Sequence, residues 1–236
     1  MKPLLTFCIL VSSLGLGSAQ SLSKFTETAD GFFQDHVRNG KVDYAAIKEH
    51  DETLTKLVAE IGSMPLSSAT ATEKKAFYIN AYNLLVIHSI VEKYPVGSPM
   101  DISGFFDGQK HTVAGESLTL NELEKTKLLR VYEDARIHFA VVCAAKGCPP
   151  LASFAFQPSN LEAQLQERTR NALNDTYFIR YRQNRVEVSK IFEWYQSDFT
   201  KNGQSVLGYI NQFRDGTIPT GSSVSHYEYD WALNKQ

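Results

Sequence analysis

Three residues in one short stretch carry side chains that could do chemistry together: His138, Cys143 and Cys148. A thiol becomes a nucleophile only as the thiolate, a form favoured by a neighbouring imidazole. His138 is the only polar side chain in the apolar run 137–143, which reads as a central strand buried on both faces. On a strand, His138 and Cys143 point to opposite faces. The Gly147-containing turn can return Cys148 to the His138 side. This spacing suggests Cys148 as a nucleophile and His138 as its base. Two other readings stand beside it. Cys143 and Cys148 can close a small disulfide loop in an oxidising compartment. His138 can be a neutral core histidine bonded to a backbone carbonyl.

Asn80 and Asn83 interrupt an otherwise apolar segment about one turn apart. Buried amides need partners, so these two are either structural clamps or site residues. As site residues they would orient the histidine or donate to an oxyanion. Glu124 and Arg130 precede the His138 run; either could orient the imidazole or form a surface ion pair. The candidate catalytic set is Cys148, His138, Asn80, Asn83 and Glu124. The aromatic group Phe192, Trp194, Tyr195 and Phe199 reads as core in preference to a ligand box.

Other chemistries lack their residues. There is no phosphate-cradling glycine loop, no serine nucleophile elbow and no His-Glu-x-x-His helix. The histidines at 36, 50, 88, 111, 138 and 226 do not pair with cysteines at metal-ligand spacing, and a zinc site from Cys143, Cys148 and His138 lacks the usual pattern. No metal or cofactor is expected. Asn174-Asp175-Thr176 fits a glycosylation sequon, which matters only in a eukaryotic secretory pathway.

The elements that must position these residues follow from periodicity and caps. A first helix is expected near 24–38, ended by Asn39-Gly40, and a second over about 44–61. The strongest helix covers 73–94, opened by a Thr70–Glu73 capping box and stopped by Pro95. It is apolar almost all round, which marks it as central and buried. A hairpin follows around Ala114-Gly115, and then a Thr119–Glu122 capping box opens a helix to about Arg130. Beyond the His138 strand come a helix over 159–173, a hairpin around Gln183-Asn184, short helices over 190–199 and 205–213, and a strand or extended tail over 227–231. Helices and hairpins without strict alternation indicate an α+β class.

Composition bounds the rest. The chain has 236 residues with 24 basic and 26 acidic side chains, a net charge of −2. That balance offers no basic face for nucleic acid. No apolar run reaches the roughly 20 residues of a membrane-spanning helix, so no transmembrane anchor is expected. Lys2, an apolar run over 4–11 and small residues at Gly17 and Ala19 match a secretory signal peptide over 1–19, with cleavage after Ala19. The expected location is secreted or periplasmic. Cleavage would remove Cys8, leaving two cysteines, too few for a disulfide framework. Residues 20–236 contain no repeat or linker and read as a single domain.

Several segments in order carry a family resemblance: Val42-Asp43-Tyr44, the stretch 76–83 (AFYINAYN), 113–120 (VAGESLTL), 136–151 (RIHFAVVCAAKGCPPL), 189–195 (SKIFEWY), Asp198-Phe199 and 229–234 (YDWALN). With these the chain resembles, over nearly all of residues 20–236, the family catalogued as domain of unknown function 547. That family brings no established activity. Lys125 stands where its members commonly carry a histidine after the glutamate matched by Glu124. At the level of fold, a buried helix followed by a histidine-bearing strand is similar to transglutaminase-like and papain-like cysteine enzymes. That likeness implies a central helix packed on an antiparallel or mixed sheet, and a cysteine near the helix start. The helix here has none, so Asn80 would occupy the nucleophile's neighbourhood, or Cys148 would supply the thiol. The expected function is cysteine-dependent acyl transfer or hydrolysis of amide or peptide bonds. The alternative is a non-catalytic module for a peptide, amide or protein ligand, with Cys143 and Cys148 bridged.

Overall fold

Helix α4 (Ala71–Lys93) is the axis of the molecule. The computed structural model describes residues 13–236, so most of the expected leader lies outside the described residues. The capping box is formed: the Thr70 N–H donates to the Glu73 carboxylate at 2.7 Å, and the Glu73 N–H donates to the Thr70 hydroxyl at 3.2 Å. From Lys75 to Val91 almost every α4 side chain is buried, as an all-round apolar helix requires.

Helices cover α4, where a sheet was expected. It packs against α1 (Ser13–His36), α2 (Tyr44–Glu49) and α3 (Glu52–Ser63). The expected single helix over 44–61 breaks at His50, whose backbone leaves the helical region. The break lets α2 and α3 each turn an apolar face inward, so Ile47, Leu54, Leu57 and Ile61 are all fully buried. On another side α4 meets a composite helix: α5 (Leu120–Glu122), a π-helical segment Leu123–Leu129, and α6 (Arg130–Tyr132). The Thr119–Glu122 capping box opens it as expected.

The sheets are small. β1 (Val37–Arg38) and β2 (Lys41–Val42) form a hairpin through Asn39 and Gly40, both at positive φ. A Cβ on Gly40 would lie 2.7 Å from the Pro150 Cα, so the glycine permits this turn to close on the loop after Cys148. β3 (His111–Val113) pairs with β4 (Glu116–Leu118). β5 (Ile179–Arg182) pairs antiparallel with β6 (Arg185–Val188) across Gln183 and Asn184, both left-handed as a two-residue hairpin turn requires. β7 (Ser223–His226) adds to β6 in parallel. Helix α7 (Leu161–Asn174) precedes that sheet; α8 (Ile191–Trp194), α9 (Gln196–Phe199) and α10 (Val206–Asn211) follow β6. The class is mixed helix and sheet around one hydrophobic core. A transglutaminase- or papain-like core finds no support here, because no sheet backs the central helix among the described residues.

The main correction concerns 137–143. These residues are not a strand: a 3-10 turn spans Ala135–Phe139, and irregular chain follows. An apolar run can be irregular when something other than a ladder satisfies its backbone. Here that partner is Asn83, whose amide nitrogen donates to the Ala140 carbonyl and whose oxygen accepts from the Val142 N–H, both at 2.9 Å. Asn80 repeats the arrangement on Phe156, donating to its carbonyl at 2.9 Å and accepting from its N–H at 2.8 Å. Both amides bond backbone through nitrogen and oxygen alike, which is the clamp reading.

The tail is extended but not a strand over 227–231. It straps across the loop carrying the cysteines: Lys146 and Gly147 donate to Ala232 and Asp230 carbonyls, each at 2.8 Å, and Asn234 donates to Ala144 at 2.9 Å. The strap ends beside β2, where Val42 donates to the Asn234 carbonyl at 2.9 Å.

Replacing Asn83 by leucine keeps the branched outline of the side chain and strands one buried carbonyl and one buried N–H. Each stranded group costs about 1–3 kcal/mol. Denaturant unfolding of Asn83→Leu should show a midpoint well below the parent's; an unchanged midpoint would show that the clamp contributes nothing.

Candidate functional site

A cavity of about 470 Å³ opens between the 99–107 segment, the π-helical segment, the His138 turn, α8 and the tail. Glu124 stands on its floor. The carboxyl is buried and accepts hydrogen bonds from the Tyr82 and Tyr195 hydroxyls. Burial pushes this carboxyl up from its ordinary range; the nearby His138 and the tyrosine hydroxyls pull the other way and do not overcome it. π-helical turns recur at functional sites, and Glu124 lies in one.

His138 lies beside it, buried, with its ring 4.2 Å from Tyr195 and 5.2 Å from Phe199 between centroids. Its Nε2 is 2.8 Å from Asp198 Oδ2, on α9. The hydrogen bond from His138 holds the Asp198 carboxyl below its ordinary range. An ionised carboxylate only accepts, so His138 Nε2–H is the donor.

The cysteines form a Cys143–Cys148 disulfide in the cavity lining. The Tyr229 hydroxyl lies 3.1 Å from one sulfur and 3.0 Å from the other. Burial pushes Tyr229 well above the ordinary tyrosine range, so it stays a neutral hydroxyl. A Cβ on Gly147 would meet the Tyr229 ring at 3.0 Å, so the glycine admits the ring against the loop.

An aromatic wall completes the enclosure. Trp194 lies 4.9 Å from Tyr229 and 6.0 Å from Trp231, and Phe106 lies 6.2 Å from Trp231. Trp194 is 47% exposed and Met100 59%, which places large apolar surface at the mouth. Reading 192–199 as core therefore holds for Phe192 and Phe199, both fully buried. It misplaces Trp194 and Tyr195, which line the cavity because the short α8 ends at Trp194 and turns one face outward.

The structure brings Glu124, His138, Cys143 and Cys148 to one cavity and leaves Asn80 and Asn83 behind it as clamps. While bridged, Cys148 has no thiol to ionise. The strand argument separating His138 from Cys143 does not apply, since the segment is not a strand. Residues missed from sequence are Tyr82, Asp198, Tyr229 and Trp231. Asp198 lies 60 positions from His138 and Tyr229 lies 81 from Cys148, so spacing held no signal for either.

Residues 66–172 match the model of a family described as protein of unknown function, DUF547. That stretch carries α4, Glu124, His138 and both bridged cysteines; Tyr195, Asp198, Tyr229 and the two tryptophans lie beyond it. Neither curated proteins nor solved structures give a match to the chain.

A carboxyl raised on folding binds its proton more tightly in the folded state. Its penalty is absent at low pH and grows as pH rises from the unfolded value through the folded one. Glu124→Gln should therefore gain stability relative to the parent as pH rises from about 4. Parallel unfolding curves for the two proteins over pH 3–8 would show that Glu124 is not desolvated.

Proposed function

We propose that the protein binds a small organic ligand in this cavity, with the Cys143–Cys148 bridge as part of the wall. The supporting observation is a volume of ligand size that joins an aromatic wall to a buried carboxyl–imidazole floor. Both tryptophans of the chain line it, so the protein's tryptophan emission reports on this cavity alone. The floor is held in place: Tyr82 and Tyr195 fix Glu124, and Asp198 fixes His138. A fixed floor lowers the ordering cost of binding.

A diverse small-molecule library, read by thermal shift and tryptophan emission together, tests this. Ligands of the cavity should move both signals, and Trp194→Ala should reduce their thermal shift. A library with no member that moves both defeats the reading.

A second reading has its own support: His138, bonded to Asp198, lines the same cavity as Cys148. After reduction of the bridge by a thiol reductant, Cys148 would pass its proton to His138 and attack the carbonyl carbon of an amide or peptide. His138 would return the proton to the departing amine. Water, or a second amine, would then release the acyl group. Export after cleavage of residues 1–19 would instead keep the cysteines in an oxidising compartment and favour the bridged form.

One intact-mass measurement on exported protein separates these. A chain starting at Gln20 and lighter by two hydrogens than its reduced form supports the bridged, ligand-binding reading. Two free thiols put the acyl-transfer reading first, and an intact Met1 defeats export by cleavage.

A further inference from the structure

The cavity's charge is one-sided. Among the described residues lining it there is no lysine or arginine, while Glu124 stands on the floor and Asp107 at the exposed rim. The opposite wall is aromatic: Tyr229 and Trp231 rings lie 4.8 Å apart, Trp194 sits 4.9 Å from Tyr229, and Phe106 extends the cluster. Ring faces carry negative potential and attract cations. An anionic ligand would meet these faces and two carboxyl groups with no lysine or arginine in the lining to receive it. A neutral ligand would use the rings and draw nothing from the charge that Glu124 can carry.

We infer that the cavity takes a small organic cation, a substituted ammonium on an apolar body, with its charge between Glu124 and the aromatic wall. This rests on the ligand-binding reading above and names its ligand class. The volume of about 470 Å³ suits such a molecule and excludes a folded protein.

A proton linkage follows. Glu124 is faced by Tyr82 from α4, Tyr195 between α8 and α9, His138 from the 3-10 turn, Tyr229 from the tail and Lys125 from its own segment. Asp198 faces His138 in turn, and Asp107 lies at the rim. Burial favours the uncharged Glu124 carboxyl, whereas a cation beside it favours the carboxylate. Binding therefore expels the Glu124 proton. Cation affinity rises with pH as Glu124 ionises.

The experiment compares two matched pairs on the full chain: choline with 3,3-dimethylbutan-1-ol, and benzylamine with benzyl alcohol. Tryptophan emission gives the affinities, and calorimetry in buffers of different protonation enthalpy counts released protons. Each cation should bind at least about tenfold more tightly than its neutral partner. Proton release should accompany the cations only. Glu124→Gln should abolish that release and most of the preference. Asp107→Asn, at an exposed position that carries no folding risk, should weaken the preference in part. Equal affinity within both pairs, or a preference that survives in both variants, overturns the cation assignment and leaves ligand binding standing. If none of the four probes binds, the cation assignment falls, and the library screen alone decides the broader reading.

Discussion

Two hydrogen bonds from the Asn83 amide decide how the middle of this molecule is built. They take up the carbonyl of Ala140 and the N–H of Val142, in a segment that has apolar side chains but no neighbouring strand. Unpaired backbone groups in such a place would each oppose folding by more than one ordinary hydrogen bond contributes. With them satisfied, the chain after the His138 turn can run irregularly through the core. Asn80 does the same for Phe156, where the chain leaves the cysteine loop. Both asparagines project from one rigid, all-round buried helix, so the loop between the clamps is fixed at its two ends relative to α4.

The cavity is a consequence of that irregular chain. A ladder through 137–143 would have sent His138 and Cys143 to opposite faces. The 3-10 turn brings His138 against Asp198 and Glu124, and the disulfide then folds back along the same cavity. The C-terminal strap completes the enclosure by backbone hydrogen bonds to residues 144–147, which deliver Tyr229 to the sulfurs and Trp231 to the wall. Three distant parts of the chain thus converge on one small volume, each held by backbone or amide contacts that would exist without a ligand.

The electrostatics of the floor follow from what is buried and what is paired. Glu124 is desolvated and meets mainly neutral hydroxyl donors, so the uncharged acid is favoured. Asp198 is partly exposed and bonded to His138, so its carboxylate is favoured. Two carboxyls on either side of one imidazole are thereby pushed in opposite directions, a pattern associated with functional sites. Elsewhere a similar density of charge has a purely structural outcome. Lys75 and Arg136 each pair with Asp134, at 2.6 and 2.7 Å, and none of the three lines the cavity.

Local signals in the sequence determined the elements that depend on neighbours in the chain. The capping boxes at Thr70 and Thr119, the hairpins at Ala114-Gly115 and Gln183-Asn184, and the all-round apolar α4 were legible because caps, turns and helical periodicity act within a few residues. His138, Cys148 and Glu124 could be singled out as candidates because polar groups in or beside apolar segments demand partners, and the fold places all three in one cavity lining. What those partners are was decided only by tertiary structure. An apolar run such as 137–143 has the same pattern whether its backbone is satisfied by a strand or by an asparagine amide 57 residues away from Ala140. Likewise Tyr195 and Trp194 look like core until the short helix that bears them turns one face to a cavity. The Cys143–Cys148 bridge remained one of two readings until the loop geometry brought the sulfurs together, because five residues of spacing permit both a bridge and two free thiols.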